Sequence, residues 1–389
     1  MAGQEGEQWL NKAAALPNDT LQRIQTLRSG ISPSRAAAVV EMLELRHKAG
    51  GRFANASVMY FTASGVEQAT VPAIARYHAS QIPPGAQSID LCCSIGSDLR
   101  AFAERGPVLG VDLNLSSLLC ARFNTLETHY CVTLLQQDVC SLDLDRIARA
   151  DPQLLFCDPS RRKISKSGSE VRVRAVSEYS PPLSWLTEVS SRFPQLKLKL
   201  SPAIHNDDLA YFGGTVEFIS YGGMCREALL HPGTRPLKLR ATLIDSTEEV
   251  YYLDGEQHET AEISGVQKWL YEPDPAAIRA GYVDSLARMH GAYRLAESIA
   301  YLTAEIEIRS PWMQRYSVIH SMPCDIRSMK EWLRKHQMRV DVVKRRGATP
   351  EPEQMRSDLK YDSRERLEPV ILVLVRLAKG VIAIFCHID

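Results

Sequence analysis

The sequence lacks the features of a secreted or membrane-spanning protein. Its first residues contain neither a basic region nor an apolar core of the kind that opens a secretory signal, so we expect the chain to remain in the cytoplasm. The longest apolar run, Val370 to Cys386, is interrupted by Arg376, Lys379 and Gly380, and so does not predict a membrane-spanning helix. We therefore expect a soluble chain with no membrane partner.

Paired cysteines are also missing. The nine cysteines are odd in number and include no C-x-x-C pair and no Cys/His pairs at zinc-binding spacing. Those in apolar segments are expected to act as small hydrophobic residues in a reducing compartment. The sequence thus predicts neither a disulfide framework nor a metal site.

Net charge is absent as well. Forty-six basic and 46 acidic residues cancel, so a surface for nucleic acid would have to be local. The length of 389 residues suits two or three domains.

The most informative segment is Ser88 to Asp98, which reads as a buried strand, a loop of small residues and a helix. Pro83-Pro84-Gly85 interrupts the chain before it, and helical apolar spacing follows from Leu99. A loop of this kind lets a ligand approach the backbone and directs helix N–H groups at it. The segment therefore predicts a binding site.

Three more predicted strands end in an aspartate. Val108 to Asp112 places a carboxylate about twenty residues after the loop, where a βα fold holds a bound ribose. Leu134 to Asp138 and Leu154 to Asp158 are the next two such segments. The carboxyl ends of parallel strands share one edge of a sheet, so we expect these aspartates to converge there.

This series resembles the class I S-adenosylmethionine-dependent methyltransferases. That family has a loop of the form D-x-G-x-G-x-G or D-x-x-C-G-x-G, and a (D/N)-P-P-(Y/F/W) segment after its fourth strand. The resemblance implies that Asp112 holds the ribose of S-adenosylmethionine and Asp138 the adenine. It implies the following cofactor-binding residues: Gln68, Thr70, Asp90, Cys92, Cys93, Ser94, Gly96, Asp98, Asp112, Leu113, Asp138 and Val139.

The sequence departs from the family pattern at two places. Ser94 stands where a glycine is common, and Ser160-Arg161 replace a proline and an aromatic residue. An aspartate at a strand end is also often only a helix cap. A dinucleotide dehydrogenase is the main alternative fold, but the G-x-G-x-x-G fingerprint is missing.

By the same resemblance, Asp158, Pro159, Ser160 and Arg161 face the methyl acceptor and are the predicted catalytic residues. For an exocyclic base amine, Asp158 and the Pro159 carbonyl would accept its hydrogens and direct the nitrogen lone pair at the methyl group. The Arg161 plane, or Tyr60, Phe61 or Tyr179, would replace the missing aromatic residue.

Gln68 and Thr70 precede a predicted helix that has Pro72 in its first turn. They resemble a segment of nucleic-acid methyltransferases that closes over the cofactor; the alternative is a simple capped helix.

A basic loop, residues 161–174, directly follows Asp158 and would hold phosphates by charge, although a charge run is also typical of a solvated loop. The predicted substrate-binding residues are Arg162, Lys163, Lys166 and Lys199, the last on a fifth strand that reaches the same edge.

The tail resembles the THUMP-like domain found behind methyltransferase domains in a poorly characterised bacterial family. The resemblance rests on a basic turn at 344–347, a Leu-Lys pair after a helix, and a closing hairpin of 370–377 with 381–388. THUMP domains help RNA-modifying enzymes grip RNA, so the implied partner is RNA rather than DNA. Alternatively Arg334 and the basic turn only decorate a folding module.

The predicted architecture is α/β. It has a helical subdomain at 1–82, a Rossmann-like seven-stranded methyltransferase domain at 83–240, a mixed connecting region at 241–308 and a small α+β THUMP-like domain at 309–389. The predicted function is methylation of a nitrogen on an RNA base. The alternatives are a catalytically silent module that binds cofactor or RNA, and a methyltransferase for a protein or small molecule.

Overall fold

A computed structural model describes residues 3–160, 162–164, 170–172, 176–209, 211–255, 260–347, 351–361 and 366–388. The chain divides into two compact units. Unit 1 contains Met1–Val216 and Glu227–Lys238, and unit 2 contains Glu217–Arg226 and Leu239–Asp389.

The first 80 residues are helical, as predicted. Asp19 and Ser32 each accept a backbone N–H three residues later and so begin the second and third helices. Pro72 lies in the first turn of the fifth helix, where its missing N–H costs nothing. The helices are α1 (Gln4–Ala14), α2 (Thr20–Leu27), α3 (Pro33–Ala49), α4 (Ala63–Gln68) and α5 (Pro72–Ser80).

The sheet of unit 1 is built from strands that alternate with helices. Its order is β9-β7-β4-β1-β2-β3, parallel except for the antiparallel pair of β7 and β9. The carboxyl ends of the parallel strands therefore share one edge, which is where a βα sheet binds its ligand. The strands are β1 (Ser88–Leu91), β2 (Val108–Asp112), β3 (Val132–Gln136), β4 (Leu154–Cys157), β5 (Arg162–Ile164), β6 (Glu170–Arg172), β7 (Leu196–Leu200), β8 (Gly214–Tyr221) and β9 (Met224–Pro232).

The remaining helices of unit 1 are α6 (Ser97–Ala103), α7 (Leu115–Asn124), α8 (Leu144–Ala150), α9 (Leu183–Arg192) and α10 (Asn206–Leu209).

Two local predictions in unit 1 were wrong. The third strand ends at Gln136 rather than at Asp138, because the Asp138 carboxylate caps a short 3-10 helix, Val139–Ser141, by accepting the Cys140 N–H. The segment predicted as a basic loop contains an antiparallel pair, β5 with β6, in which strand-forming residues such as Ile164 take part.

Unit 2 contains a second sheet in the order β13-β14-β12-β15-β18-β17-β16. Strands β10 and β11 of unit 2 also form an antiparallel pair. The elements are β10 (Lys238–Ile244), β11 (Val250–Leu253), β12 (Trp269–Pro273), α11 (Pro275–Arg279), α12 (Val283–His290), β13 (Tyr293–Ala296), β14 (Ile299–Ala304), β15 (Met313–Pro323), α13 (Ile326–Lys335), β16 (Met338–Arg346), α14 (Pro352–Asp358), β17 (Glu368–Leu377) and β18 (Gly380–Ile388).

The closing hairpin of the tail is confirmed, since Leu377 pairs with Gly380 at the start of an antiparallel ladder between β17 and β18. The second sheet joins β12 to β14 with β15 to β18, so it crosses the boundary that we predicted between residues 308 and 309. No described helix is long and apolar enough to cross a membrane.

The predicted basic turn at 344–347 was also wrong, because Lys344 to Arg346 complete strand β16 and pair with β17. Glu272 is the acidic partner of two of these cations. Its carboxylate accepts a hydrogen bond from Lys344 Nζ at 2.5 Å and one from Arg346 Nη2 at 3.2 Å, and Arg345 pairs with Glu351 at 2.7 Å. These three cations thus have acidic partners within their own unit.

Candidate active site

The loop after β1 turns sharply through left-handed backbone. Cys92, Ser94 and Gly96 have φ angles of 66°, 49° and 83°. Glycine adopts such angles freely, whereas another residue does so at a cost of about 1–3 kcal/mol, and such residues cluster at functional sites. Ser94 therefore adopts the backbone conformation that the usual glycine would supply.

Asp112, the last residue of β2, is tied to this loop. Its Oδ2 accepts the Ser94 N–H at 2.8 Å and its Oδ1 accepts the Asn114 N–H at 2.8 Å. The two hydrogen bonds orient the carboxylate, and each oxygen keeps a second lone pair for a ligand hydroxyl. The Asp112 carboxylate is therefore held in place at the edge of the sheet and can still accept hydrogen bonds.

A pocket of about 280 Å³ opens at this edge of the sheet. Two predicted residues, Gly96 and Pro159, are not in its lining. Lys199 does not line it either, and Arg161, Lys166 and the side chains of Arg162 and Lys163 lie outside the described residues. The predicted residues that do line it are Gln68, Thr70, Asp90, Cys92, Cys93, Ser94, Asp98, Asp112, Leu113, Asp138, Val139, Asp158 and Ser160.

The pocket also has lining residues that the sequence reasoning missed. Most are immediate neighbours of predicted ones, so extending each predicted segment by a few residues would have found them. Ser180 and Pro181 are different: Ser180 reaches the site through a two-way backbone bridge to Ser160. The missed residues are Ser64, Ala69, Ser97, Asn114, Ser117, Gln137, Ser180 and Pro181, whereas Ile95 lies within the loop from Cys93 to Gly96 that was predicted to bind the cofactor.

Asp90 gives a test of whether the site fits S-adenosylmethionine. Its side chain is 1% exposed, and within the described part of the chain its Oδ1 has no hydrogen-bond partner. Burial and the nearby charges of Asp98 and Asp158 raise the pKa of Asp90 well above its usual range. A cationic group in the pocket would pair with this carboxyl. A sulfonium or ammonium group of the cofactor meets that requirement.

Next to the pocket lies a buried polar cluster, formed by Thr70, His78, Asp98, Asp158, Lys199 and Glu227. His78 on α5 bridges two carboxylates, with Nδ1 2.9 Å from Asp98 Oδ1 and Nε2 2.7 Å from Glu227 Oε1. Lys199 Nζ donates to Asp158 Oδ2 and to Thr70 Oγ1, both at 2.7 Å. The cluster thus connects Asp98 on the cofactor side with Asp158.

The charges in this cluster are strongly coupled. Burial lowers the pKa of His78, but the charges of Glu227 and Asp98 and their hydrogen bonds outweigh it and raise that pKa to about 10. Burial raises the pKa of Asp98, yet hydrogen bonding to His78 and the charge of Lys199 bring it below its usual value. His78 is therefore an imidazolium at neutral pH.

This protonation predicts how stability depends on pH. Because the pKa of His78 is higher in the folded chain, about 10, than the ordinary 6.5, the folded state binds the proton more tightly. The stabilisation is fully present below pH 6.5 and is lost as the pH rises toward 10. Urea denaturation over this range should show a falling unfolding free energy, and the His78→Gln variant should show a smaller decline. An equal decline in both proteins would contradict the assignment.

The segment that carries Gln68 and Thr70 is held by Arg52. The guanidinium donates to the carbonyls of Val66, Glu67 and Ala69 at 2.5, 3.2 and 2.5 Å. These carbonyls belong to the end of α4, where backbone acceptors lack helical partners. Arg52 thereby fixes the chain just before Thr70.

Asn124, at the end of α7, joins the helical segment to the cofactor loop. Its side chain accepts the Tyr60 N–H at 2.8 Å and donates to the carbonyls of Tyr60 and Ile95, both at 2.9 Å. An amide that is only 4% exposed and fully hydrogen-bonded is a rigid link. The position of the Tyr60 segment is therefore coupled to that of the loop.

No described group of His, Cys, Asp or Glu side chains is arranged to hold a metal ion.

Comparison with known proteins finds that the chain is similar to methyltransferases. No family model matches it. Two curated proteins, from two strains of Mycobacterium tuberculosis (CDC 1551 / Oshkosh and ATCC 25618 / H37Rv), are each 26% identical to it over 358 residues. The alignment covers 89% of this chain and 94% of each relative. Both are named uncharacterized S-adenosylmethionine-dependent methyltransferases.

A solved structure shows the same fold over nearly the whole chain. It is the crystal structure of a "putative methyltransferase" from Porphyromonas gingivalis W83, with a TM-score of 0.78 and 19% identity. The match covers 99% of this chain and 98% of that one. The chain thus has the α/β fold of that protein and is similar over most of its length to S-adenosylmethionine-dependent methyltransferases.

Proposed function

We propose that this protein methylates a nitrogen of an RNA base. The proposal starts from the enzyme class and the cofactor. The protein is an S-adenosylmethionine-dependent methyltransferase: its curated relatives carry that name, and it shares the fold of a solved putative methyltransferase. The finer parts of the proposal are a class I sheet, a THUMP-like tail, a cytoplasmic location and the RNA acceptor.

The cofactor supplies a methyl group on a positively charged sulfur. In the proposal Asp112 accepts the ribose hydroxyls, the Asp138 segment contacts the adenine, and Asp90 with Asp98 faces the cationic methionine end. The pocket supports these roles because all four carboxylates line it. The unpartnered Oδ1 of Asp90 supports them further, since burying it costs free energy until a donor or cation binds.

The observation that carries the acceptor chemistry is the position of Asp158. This carboxylate directly follows β4, lines the same pocket as the cofactor residues and is bound by Lys199. An ionised carboxylate accepts hydrogen bonds only. In the proposal Asp158 accepts a hydrogen bond from an amine and leaves its lone pair toward the methyl group. The N–C bond forms as the C–S bond breaks, the sulfur leaves as a neutral thioether, and the methylated nitrogen releases its extra proton to solvent.

Support for RNA comes from local charge. The basic segment 161–174 follows Asp158 in sequence, and α13 of unit 2 has exposed cationic side chains, including Arg334 and Lys335. Such side chains bind phosphates without sequence preference. Because Lys344 and Arg346 are paired with Glu272, we assign α13 rather than β16 to this contact.

Two alternative functions would give different results in the experiment described next. A silent module that binds cofactor or RNA is suggested by Ser160-Arg161 in place of the family residues; Ser94 no longer favours it, because the loop has the required backbone. Methylation of a protein or a small molecule would use the same pocket.

Transfer of tritium from labelled cofactor tests the proposal. The protein is incubated with total RNA, protein and small-molecule fractions from a strain that lacks the gene, with Asp158→Ala as control. We expect label in RNA with the native chain and none with the variant. Tight cofactor binding without transfer would indicate the silent module, and label in another fraction would overturn the RNA acceptor.

A further inference from the structure

Three charged side chains of the polar cluster have no role in the chemistry described so far. Lys199 on β7 is 5% exposed, and Glu227 on β9 and His78 on α5 are each 2% exposed. Lys199 Nζ also lies 3.9 Å from Glu227 Oε2. Burying charged groups to this extent costs free energy unless they are paired, so a role that requires these three side chains together would account for their burial.

We propose that Lys199 is a positioning residue that acts on the methyl acceptor only through the Asp158 carboxylate, and that His78 and Glu227 hold Lys199 in place. The inference rests on the proposed function, since Asp158 must face the acceptor. It changes the role of Lys199 from a contact for substrate phosphates to a support within the protein.

The hydrogen bonds of the cluster run in one consistent direction. The Thr70 hydroxyl has a single hydrogen, which it donates to Asp98 Oδ2 at 2.5 Å, so its oxygen accepts from Lys199. His78 then donates to Asp98 and Glu227. The Thr70 hydroxyl and both ring nitrogens of His78 thus each have an acceptor, and the ammonium of Lys199 donates to Thr70 and to Asp158.

The charges of the cluster also favour this role. Three carboxylates, of Asp98, Asp158 and Glu227, surround the two cations of His78 and Lys199. Burial lowers the pKa of Lys199, but the charges of Asp158 and Glu227 outweigh it and raise it. A lysine that stays protonated cannot accept a proton from the substrate. Its remaining function is to keep a neighbouring carboxylate ionised and oriented.

A double-mutant cycle tests the link. Lys199→Met should lower kcat roughly 100-fold while the Kd for the cofactor changes less than about threefold. In an Asp158→Ala background the same change should lower kcat less than about threefold, because the carboxylate through which Lys199 acts is gone. If the two substitutions instead lower kcat independently, so that their fold-changes multiply in the double variant, the proposal is overturned. Lys197→Met, on the same strand but outside the cluster, is the matched control and should leave kcat unchanged.

The same cycle measured on unfolding free energy needs no acceptor. Non-additive changes in unfolding free energy would support the link between Lys199 and Asp158, even if no label were transferred to RNA. The absence of transfer alone would overturn only the proposed function. Additive values would overturn the link itself.

Histidine NMR tests the support provided by His78 and Glu227. The chain has ten histidines, and the missing signal in His78→Gln identifies the one of interest. Because the carboxylates of Asp98 and Glu227 face its two ring nitrogens, we expect His78 to remain an imidazolium at about pH 8.5, where an ordinary histidine is neutral. Glu227→Gln should make it neutral at that pH and lower kcat. A neutral His78 in the native protein would overturn this part.

Discussion

Replacing Asp112 by alanine should weaken cofactor binding by roughly 100-fold or more. Hydrogen bonds from ribose hydroxyls to a carboxylate contribute about 1.5–3 kcal/mol each, and about 1.4 kcal/mol corresponds to tenfold in affinity. The change also removes the acceptor for the N–H groups of Ser94 and Asn114. Calorimetric titration with S-adenosylmethionine and with its demethylated product measures the loss.

Two variants separate the ligand contact from general damage. Asp112→Asn keeps the shape and one acceptor oxygen, so it should retain more affinity than alanine does. Glu127→Ala removes an exposed carboxylate outside the pocket and should bind like the native protein. Native affinity in Asp112→Ala, with an unchanged unfolding midpoint, would show that this carboxylate does not hold the cofactor.

The edge of the pocket was predictable because its residues follow their strands directly. Asp112 ends β2 and Asp158 comes one residue after β4, so hydrophobic strand patterns alone locate both side chains. Parallel pairing then brings them to one edge, because Leu91 and Cys157 are opposite each other. Asp138 was placed correctly in the lining although the end of its strand was not.

The buried cluster could not be predicted in the same way. His78 and Glu227 are 149 residues apart and bond through a single pair of atoms. In sequence, His78 looks like one residue of a capped helix, and Glu227 is an ordinary residue of a strand with apolar neighbours. Only the tertiary fold reveals that each supplies the charge the other needs in order to be buried.

The prediction of a basic turn at 344–347 was wrong for a related reason. Three consecutive cations followed by glycine are typical of an exposed turn, and local composition gives no sign of a partner. The partner Glu272 precedes Lys344 by 72 residues. With these charges paired, the backbone of β16 runs beside β17 as a parallel strand through Arg346.

Replacing Asp158 by alanine should slow methyl transfer severely while sparing cofactor binding. If orientation by this carboxylate lowers the barrier by about 4 kcal/mol, its loss slows transfer by roughly 1,000-fold. The Kd for the cofactor should stay within about threefold, because Asp112 and the loop remain intact. Single-turnover transfer of labelled methyl, compared with calorimetric binding, measures the two quantities separately.

The alanine variant also leaves Lys199 without its closest carboxylate, since Asp158 Oδ2 lies 2.7 Å from Nζ. Asp158→Asn controls for this, because its amide oxygen still accepts from the ammonium while the negative charge is gone. We expect the asparagine variant to bind the cofactor as well as the alanine variant does. We also expect it to transfer methyl groups as slowly as the alanine variant. If the two variants instead lose cofactor affinity as severely as Asp112→Ala, the division of the pocket into a cofactor side and an acceptor side is wrong.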